Sequence, residues 1–192
     1  MALSKLTTIV IVTINGKISY NIINKIYRSY NIIIVENNND LTFKKKILSK
    51  YKKIKILLSK KNLGFGGGNN LAIKKVKTPY VLFLGPDVNI SLKNLKDLET
   101  QIRKIDDFSI VAPNSNHFME TINTNLDKVY KNEFIEINKK KEITEISWVP
   151  EWCMFCKIKD LKKVKYFDDN FFLFFEGLDL CKRLKKHNKK FF

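Results

Sequence analysis

The sequence predicts an open, mainly parallel α/β sheet flanked by helices, with a small irregular or hairpin insertion. Three observations carry that expectation. Short β-branched runs without clean alternation, such as Leu6–Ile14 (LTTIVIVTI), suit strands buried on both faces. Segments with apolar residues at helical spacing separate these runs, so strand and helix alternate along the chain. The strands also end on polar or glycine-bearing turns, at Asn15, at Glu36, in the glycines after Asn62 and at Asp87. In a parallel sheet those turns share one edge, the edge where ligands sit.

Taken in order, the first run stops at the turn signal Asn15-Gly16. Ile18, Ile22, Ile23, Ile26, Tyr27 and Tyr30 then recur at helical spacing and return the chain for a second strand over Asn31–Val35. The polar turn Glu36-Asn37-Asn38-Asn39-Asp40 precedes a helix with Phe43, Ile47, Leu48 and Tyr51 on one face, and a short third strand over Ile54–Leu58 follows. Next, Gly64, Gly66, Gly67 and Gly68 form a glycine-rich turn opening a helix. Glycines let backbone N–H groups approach an anion closely, and a helix N-terminus adds positive potential. The apolar strand Tyr80–Leu84 delivers Asp87 at its C-terminal end, with Pro86 stiffening the turn. Ser91 is the expected N-cap of a helix bearing Leu92, Leu95, Leu98, Ile102 and Ile105, and Phe108–Ala112 reads as a further strand closed by Pro113.

From Asn114 to Ser147 the texture turns polar and includes the run Lys139-Lys140-Lys141. Hairpins or an irregular excursion are expected there, because roughly 35 residues are too few for a core of their own. Trp148–Ile158 (WVPEWCMFCKI) is apolar and reads as strand, with a short helical turn at Asp160–Val164. Glu176-Gly177-Leu178-Asp179 then opens a final basic helix that the pattern carries to Phe192. The sequence shows neither an internal repeat nor a flexible linker, so residues 1–192 are expected to form a single domain.

Composition narrows the classes. A chain of 192 residues with 44% hydrophobic content can bury a sizeable core and is not a disordered segment. No window reaches the roughly 18 uncharged apolar residues of a membrane span, and the N-terminus lacks a basic region followed by a cleavage site. A cytoplasmic domain is the expectation. Cys153-x-x-Cys156 has no second pair to complete a zinc site, so Cys153, Cys156 and Cys181 read as buried reduced thiols. Lys and Arg number 36 against 19 Asp and Glu, a formal +17 that favours anionic partners. The lysines are spread rather than gathered in an aromatic-studded patch, so nucleic acid is not expected, while peripheral contact with an anionic membrane surface stays open. His117 and His187 stand alone and read as surface residues.

The motifs exclude two common nucleotide sites. A dinucleotide fingerprint needs a third glycine where Asn69 stands, and needs to follow the first strand rather than the third. The Walker spacing is also absent. Asp87 suits either a helix-capping turn or a metal ligand. Glu176 and Asp179 either complement a helix dipole or, pinned beside Phe171, Phe172, Leu173, Phe174 and Phe175, form a desolvated general base.

In the segments IVIVTIN (Ile9–Asn15), IIIVENNND (Ile32–Asp40), NLGFGGGNNLAI (Asn62–Ile73), YVLFLGPDV (Tyr80–Val88) and FDDNFFLFFEGLDLCKR (Phe167–Arg183), the chain resembles inverting nucleotide-sugar glycosyltransferases of family 2, with the GT-A fold. The resemblance is to their rhamnosyltransferase-like branch and extends over essentially the whole chain. It implies a UDP- or dTDP-linked sugar donor bound over the strand C-termini and a glycan or lipid-linked acceptor. It also implies that Glu36 and Asn37 meet the base, that Thr13 and Asn15 lie nearby, and that Asn62, Gly64, Asn69 and Asn70 line the nucleotide and sugar. Asp87 falls on the carboxylate that would hold Mg²⁺ or Mn²⁺ against the diphosphate. Residues 1–113 then form the nucleotide-binding half and 114–192 the acceptor-side half, expected to be incomplete because relatives usually continue past the final helix. Two departures stand out. Gly85 replaces the first residue of an Asn-Pro-Asp element, and Gly177 falls where the catalytic aspartate belongs. Glu176 and Asp179 remain as candidate catalytic residues, and a non-catalytic nucleotide-sugar-binding module is the alternative.

Overall fold

Both faces of the first strand are apolar, and the structure buries both. In the computed structural model, which describes residues 2–113, 143 and 145–192, β1 (Thr7–Thr13) follows a short helix α1 (Leu3–Leu6). Ile9 and Ile11 join one core layer and Val10 the other, all three without solvent exposure. The chain continues through α2 (Tyr20–Ile26), β2 (Asn31–Glu36), α3 (Leu41–Lys50), β3 (Lys55–Leu58), α4 (Gly64–Ile73), β4 (Tyr80–Leu84) and α5 (Leu92–Ile102). It closes with β5 (Ile110–Val111), β6 (Cys153–Lys157), α6 (Ile158–Lys163) and α7 (Glu176–Lys185). Among the described residues the strands form one six-stranded sheet in the order β3-β2-β1-β4-β6-β5.

Alternation with a period of two assigns side chains to the layers. Ile9, Ile11, Leu82 and Leu84 meet Ile22, Ile26, Phe43, Ile47 and Leu95 from α2, α3 and α5. Val10, Ile33 and Phe83 meet Ala72, Ile73, Leu161, Leu180 and Leu184 from α4, α6 and α7. Each such buried side chain contributes about 1.5–3 kcal/mol, which makes the central strands a rigid platform for whatever stands at their ends. Helix starts are fixed locally: Asp40 accepts from Phe43 N at 2.8 Å and Ser91, as expected, from Asn94 N at 3.0 Å.

The parallel part of the sheet is the β3-β2-β1-β4 half, whereas β6 runs antiparallel to both β4 and β5, so the sheet is mixed. The strand read over Trp148–Ile158 is confined to Cys153–Lys157, and the one read over Phe108–Ala112 to two residues. The final helix stops at Lys185 instead of running to Phe192. Asn188 turns the chain with φ 55°, after which Ser109 N donates to Lys190 O and Phe192 N to Ile110 O. Phe191 ends fully buried beside β5, a better place for a phenyl ring than a solvated helix face. Lys189 reinforces the return by pairing with buried Asp160 at 3.0 Å, whose other oxygen accepts from Ser109 Oγ.

Cys153, Cys156 and Cys181 are free and buried, and burial pushes Cys153 and Cys181 up to about 12. They behave as apolar packing rather than as nucleophiles. His187 is exposed just past α7. Almost all of the expected excursion over 114–147, with His117 and the lysine run, lies outside the described residues. Among the described residues no helix is long and apolar enough to cross a membrane.

Candidate functional site

Parallel pairing of β1 with β2, in register from Thr8↔Asn31 to Thr13↔Glu36, sets the ends of the two strands side by side. Glu36 has no solvent exposure, yet it carries a carboxylate. Its Oε1 accepts from Asn15 N at 3.0 Å and Asn38 N at 3.1 Å, and its Oε2 from Gly16 N at 3.0 Å. Three backbone donors thereby replace the water a buried charge requires. The clamp holds Asn15 and Gly16 with φ of 54° and 64°, a left-handed pair that Asn-Gly tolerates. Thr13 Oγ1 closes the same turn by donating to Lys17 O at 2.7 Å. Asn15 and Asn38 are exposed at this corner and are joined by a 2.6 Å bond from Asn38 Nδ2 to Asn15 Oδ1.

Asn37, buried beside Glu36, ties this corner to α4: its Nδ2 donates to Gly64 O at 2.9 Å. Asn62 Oδ1 accepts from Gly64 N at 3.0 Å, and Asn69 Nδ2 donates to Phe65 O at 3.1 Å. The glycines lie within helix α4, and their close approaches are to protein. A Cβ at Gly64 would fall 1.9 Å from Phe172 O, and one at Gly68 would fall 2.7 Å from Val12 Cγ1. Phe65 N donates to Phe172 O at 3.2 Å, so the start of α4 is already engaged by the segment preceding α7. Asn70 binds that segment from the other side, donating to Phe167 O at 2.9 Å and to Asp169 Oδ1 at 2.7 Å.

Asp87 follows β4 in the turn Gly85-Pro86-Asp87-Val88, closed by Val88 N donating to Gly85 O at 3.2 Å. Its carboxylate is exposed and accepts no hydrogen bond from the described residues. Ser19 N donates to Pro86 O at 2.9 Å, and Gly85 N to Trp152 O at 2.8 Å, so the turn is held from both sides. Among the described residues no cluster of three or more His, Cys, Asp or Glu is arranged for a metal. A single free carboxylate still fits Mg²⁺ or Mn²⁺ in a site where substrate phosphates and water complete the coordination.

The acidic groups at the start of α7 differ in setting. Glu176 is 1% exposed and its Oε1 lacks a hydrogen-bond partner among the described residues. Burial raises its pKa above the ordinary carboxyl value, its own backbone N–H works against that, and the neighbouring Glu151 charge adds to it. Asp179 is neutralised within the helix by Arg183, whose Nε and Nη2 lie 2.7 and 2.6 Å from Oδ2. Arg183 also donates to Tyr166 O at 2.7 Å, in a turn where Lys165 and Tyr166 are left-handed. Glu151, which sequence reasoning missed, accepts from Gly177 N at 2.7 Å. Only the antiparallel direction of β6 brings it to this edge, and that direction is not written in the apolar run Trp148–Ile158. Phe172, Leu173, Phe174 and Phe175 leave the core and are 57%, 56%, 69% and 55% exposed beside the same edge.

Comparison with known proteins bears on the family and the fold. The model of the family described as Glycosyl transferase family 2 matches residues 8–164. The chain is 28% identical over 176 residues to the rhamnosyltransferase WbbL of Escherichia coli K12, covering 79% of this chain and 65% of that protein. Among solved structures, TarS 1-349 of S. aureus in complex with UDP superposes with a TM-score of 0.66 at 16% identity, over 97% of this chain and 57% of that one. The mannosyltransferase PcManGT of Pyrobaculum calidifontis, in complex with GDP-Man and Mn²⁺, gives 0.70 at 9% identity, over 97% and 53%. These likenesses show the GT-A fold, and the chain spans between 53% and 65% of the length of these three proteins.

Proposed function

The chain belongs to glycosyl transferase family 2, and on that premise we propose that it moves a sugar from a UDP- or dTDP-linked donor to a glycan or lipid-linked acceptor, with inversion at the anomeric carbon. The observation that carries the proposal is the gathering of the Glu36 clamp and the free carboxylate of Asp87 on one edge of the sheet. In this reading Glu36 and Asn37 act through the backbone they hold. With Thr13, whose hydroxyl closes the turn, they fix the corner from which Asn15 and Asn38 meet the base, while Asn62, Gly64, Asn69 and Asn70 shape the start of α4 beside the nucleotide and sugar. Asp87 would hold Mg²⁺ or Mn²⁺, and the bound cation would supply charge neutralisation for the departing nucleotide. The acceptor hydroxyl loses its proton to a carboxylate near the start of α7. We place the protein in the cytoplasm at an anionic membrane surface, a reading supported by the net charge of +17 and by the exposed Phe172–Phe175 run.

The test is calorimetric titration of UDP and dTDP with Mn²⁺ into wild type and Asp87→Ala. Wild type is expected to bind one of them in a metal-dependent way, and Asp87→Ala to weaken that binding about tenfold or more, equivalent to about 1.4 kcal/mol. Because Asp87 is exposed, its removal should leave the melting temperature unchanged. No metal-dependent nucleotide binding by wild type would sink the proposal. Gly177 favours a second reading, a module that binds nucleotide sugar without turning it over, and nucleotide release from a sugar donor by wild type rejects it.

A further inference from the structure

An inverting transfer requires a proton acceptor, and Gly177 offers none. The space that a side chain there would take is nevertheless filled. A Cβ built on Gly177 would lie 2.6 Å from Glu151 Cγ and 2.8 Å from both Cδ and Oε1. Glu151 precedes β6, whose antiparallel pairing opposes Cys153 to Leu84, so its start lies at the C-terminal ends of the parallel strands. The adjoining Trp152 O accepts from Gly85 N, two residues before Asp87. A carboxylate therefore reaches the volume of residue 177 from the other side of the site, on the edge where Asp87 stands.

The neighbouring acids are less suited to an acceptor hydroxyl. Glu176 is 1% exposed and its Cγ lies 3.4 Å from where a Gly66 Cβ would be, beneath α4. Asp179 is held by Arg183. Glu151 is half-buried, and its Oε1 takes the Gly177 N–H while Oε2 makes no hydrogen bond to the described residues. We infer that Glu151 is the catalytic base of this chain, doing from the β6 side what a side chain at position 177 would do from α7. The inference rests on the transferase reading above. In the step, the acceptor oxygen forms a bond to the anomeric carbon as its proton passes to Glu151 Oε2. The bond from that carbon to the diphosphate breaks, and its electron pair leaves with the nucleotide.

Glu151 also accepts a hydrogen bond at the start of α7, so the test separates that role from catalysis. Glu151→Gln keeps an oxygen for Gly177 N but cannot take a proton. The assay follows nucleotide release from a panel of UDP- and dTDP-hexoses with Mn²⁺, with nucleotide affinity and melting temperature measured in parallel. Glu151→Gln is expected to slow release about 100-fold or more, the usual weight of a general base, with affinity and melting almost unchanged. The double variant Glu151→Gly with Gly177→Asp, which returns the carboxylate from the α7 side, should recover at least about tenfold over Glu151→Gln. Release by Glu151→Gln equal to wild type, or a loss matched by an equal loss of nucleotide affinity, overturns the inference while leaving the transferase reading in place. Nucleotide binding without turnover by wild type also overturns it and supports the binding module. A wild type that binds no nucleotide fails the transferase reading itself.

Discussion

Gly64→Ala is expected to destabilise the protein by about 3 kcal/mol or more, with two causes acting at one atom. At φ +70° the residue is left-handed, where an L side chain costs about 1–2 kcal/mol. The added methyl would also lie 1.9 Å from Phe172 O, a backbone atom that cannot rotate away. Relief requires the 171–175 segment to lift from α4, which breaks the bond from Phe65 N to Phe172 O. Gly67→Ala is the control, since its Cβ would meet Leu63 Cβ at 3.0 Å and Asp169 Oδ1 at 3.7 Å without left-handed strain. There the gain in helix propensity, up to about 1 kcal/mol, offsets the tight contact. Urea unfolding of both variants checks the prediction, and equal midpoints would contradict it.

Glu36→Ala is the second large effect. Removing the carboxylate leaves Asn15 N, Gly16 N and Asn38 N without their acceptor, and bonds to a charged partner contribute about 1.5–3 kcal/mol each. Water can enter this corner and recover part of the loss, because Asn15 and Asn38 are exposed, so a net destabilisation of about 3 kcal/mol is expected. Without the clamp the left-handed Asn15-Gly16 turn also loses its shape, and nucleotide affinity should fall by about tenfold or more. Glu36→Gln separates charge from size: one of its ends becomes an NH₂ group facing a backbone donor, and it should behave closer to alanine than to wild type. Stability and nucleotide affinity both retained in Glu36→Gln would show that the carboxylate is not the organising group.

The sheet was legible because β-branched runs buried on both faces leave little else for a chain to do. Tyr80–Leu84 matches its strand residue for residue, and the Ser91 cap is present as expected. The end of α7 was not legible, because Phe191 and Phe192 extend a helical pattern and leave it only when the open edge of β5 offers burial. In the site, sequence spacing brought Asn15, Glu36 and Asp87 to one edge. It could not say that Glu36 faces inward, since a carboxylate at a strand end reads the same whether it meets a ligand or three backbone amides. Glycines posed a similar ambiguity: Gly64 and Gly68 signal close approach, and only the fold shows that Phe172 and Val12 do the approaching. Glu151 lies 26 residues from Gly177, and no local pattern links them. Their complementarity exists only after β6 pairs antiparallel with β4.

In the proposed function, the C-terminal edge of β1, β2 and β4 binds the donor nucleotide. Amide hydrogen exchange on wild type, with and without Mn²⁺ and saturating UDP or dTDP, tests it most directly. The predicted result is slower exchange at residues 13–16, 36–39 and 85–88, the three turns that the parallel strands set side by side. Protection of other segments with these three unchanged, or no protection at all, would contradict it.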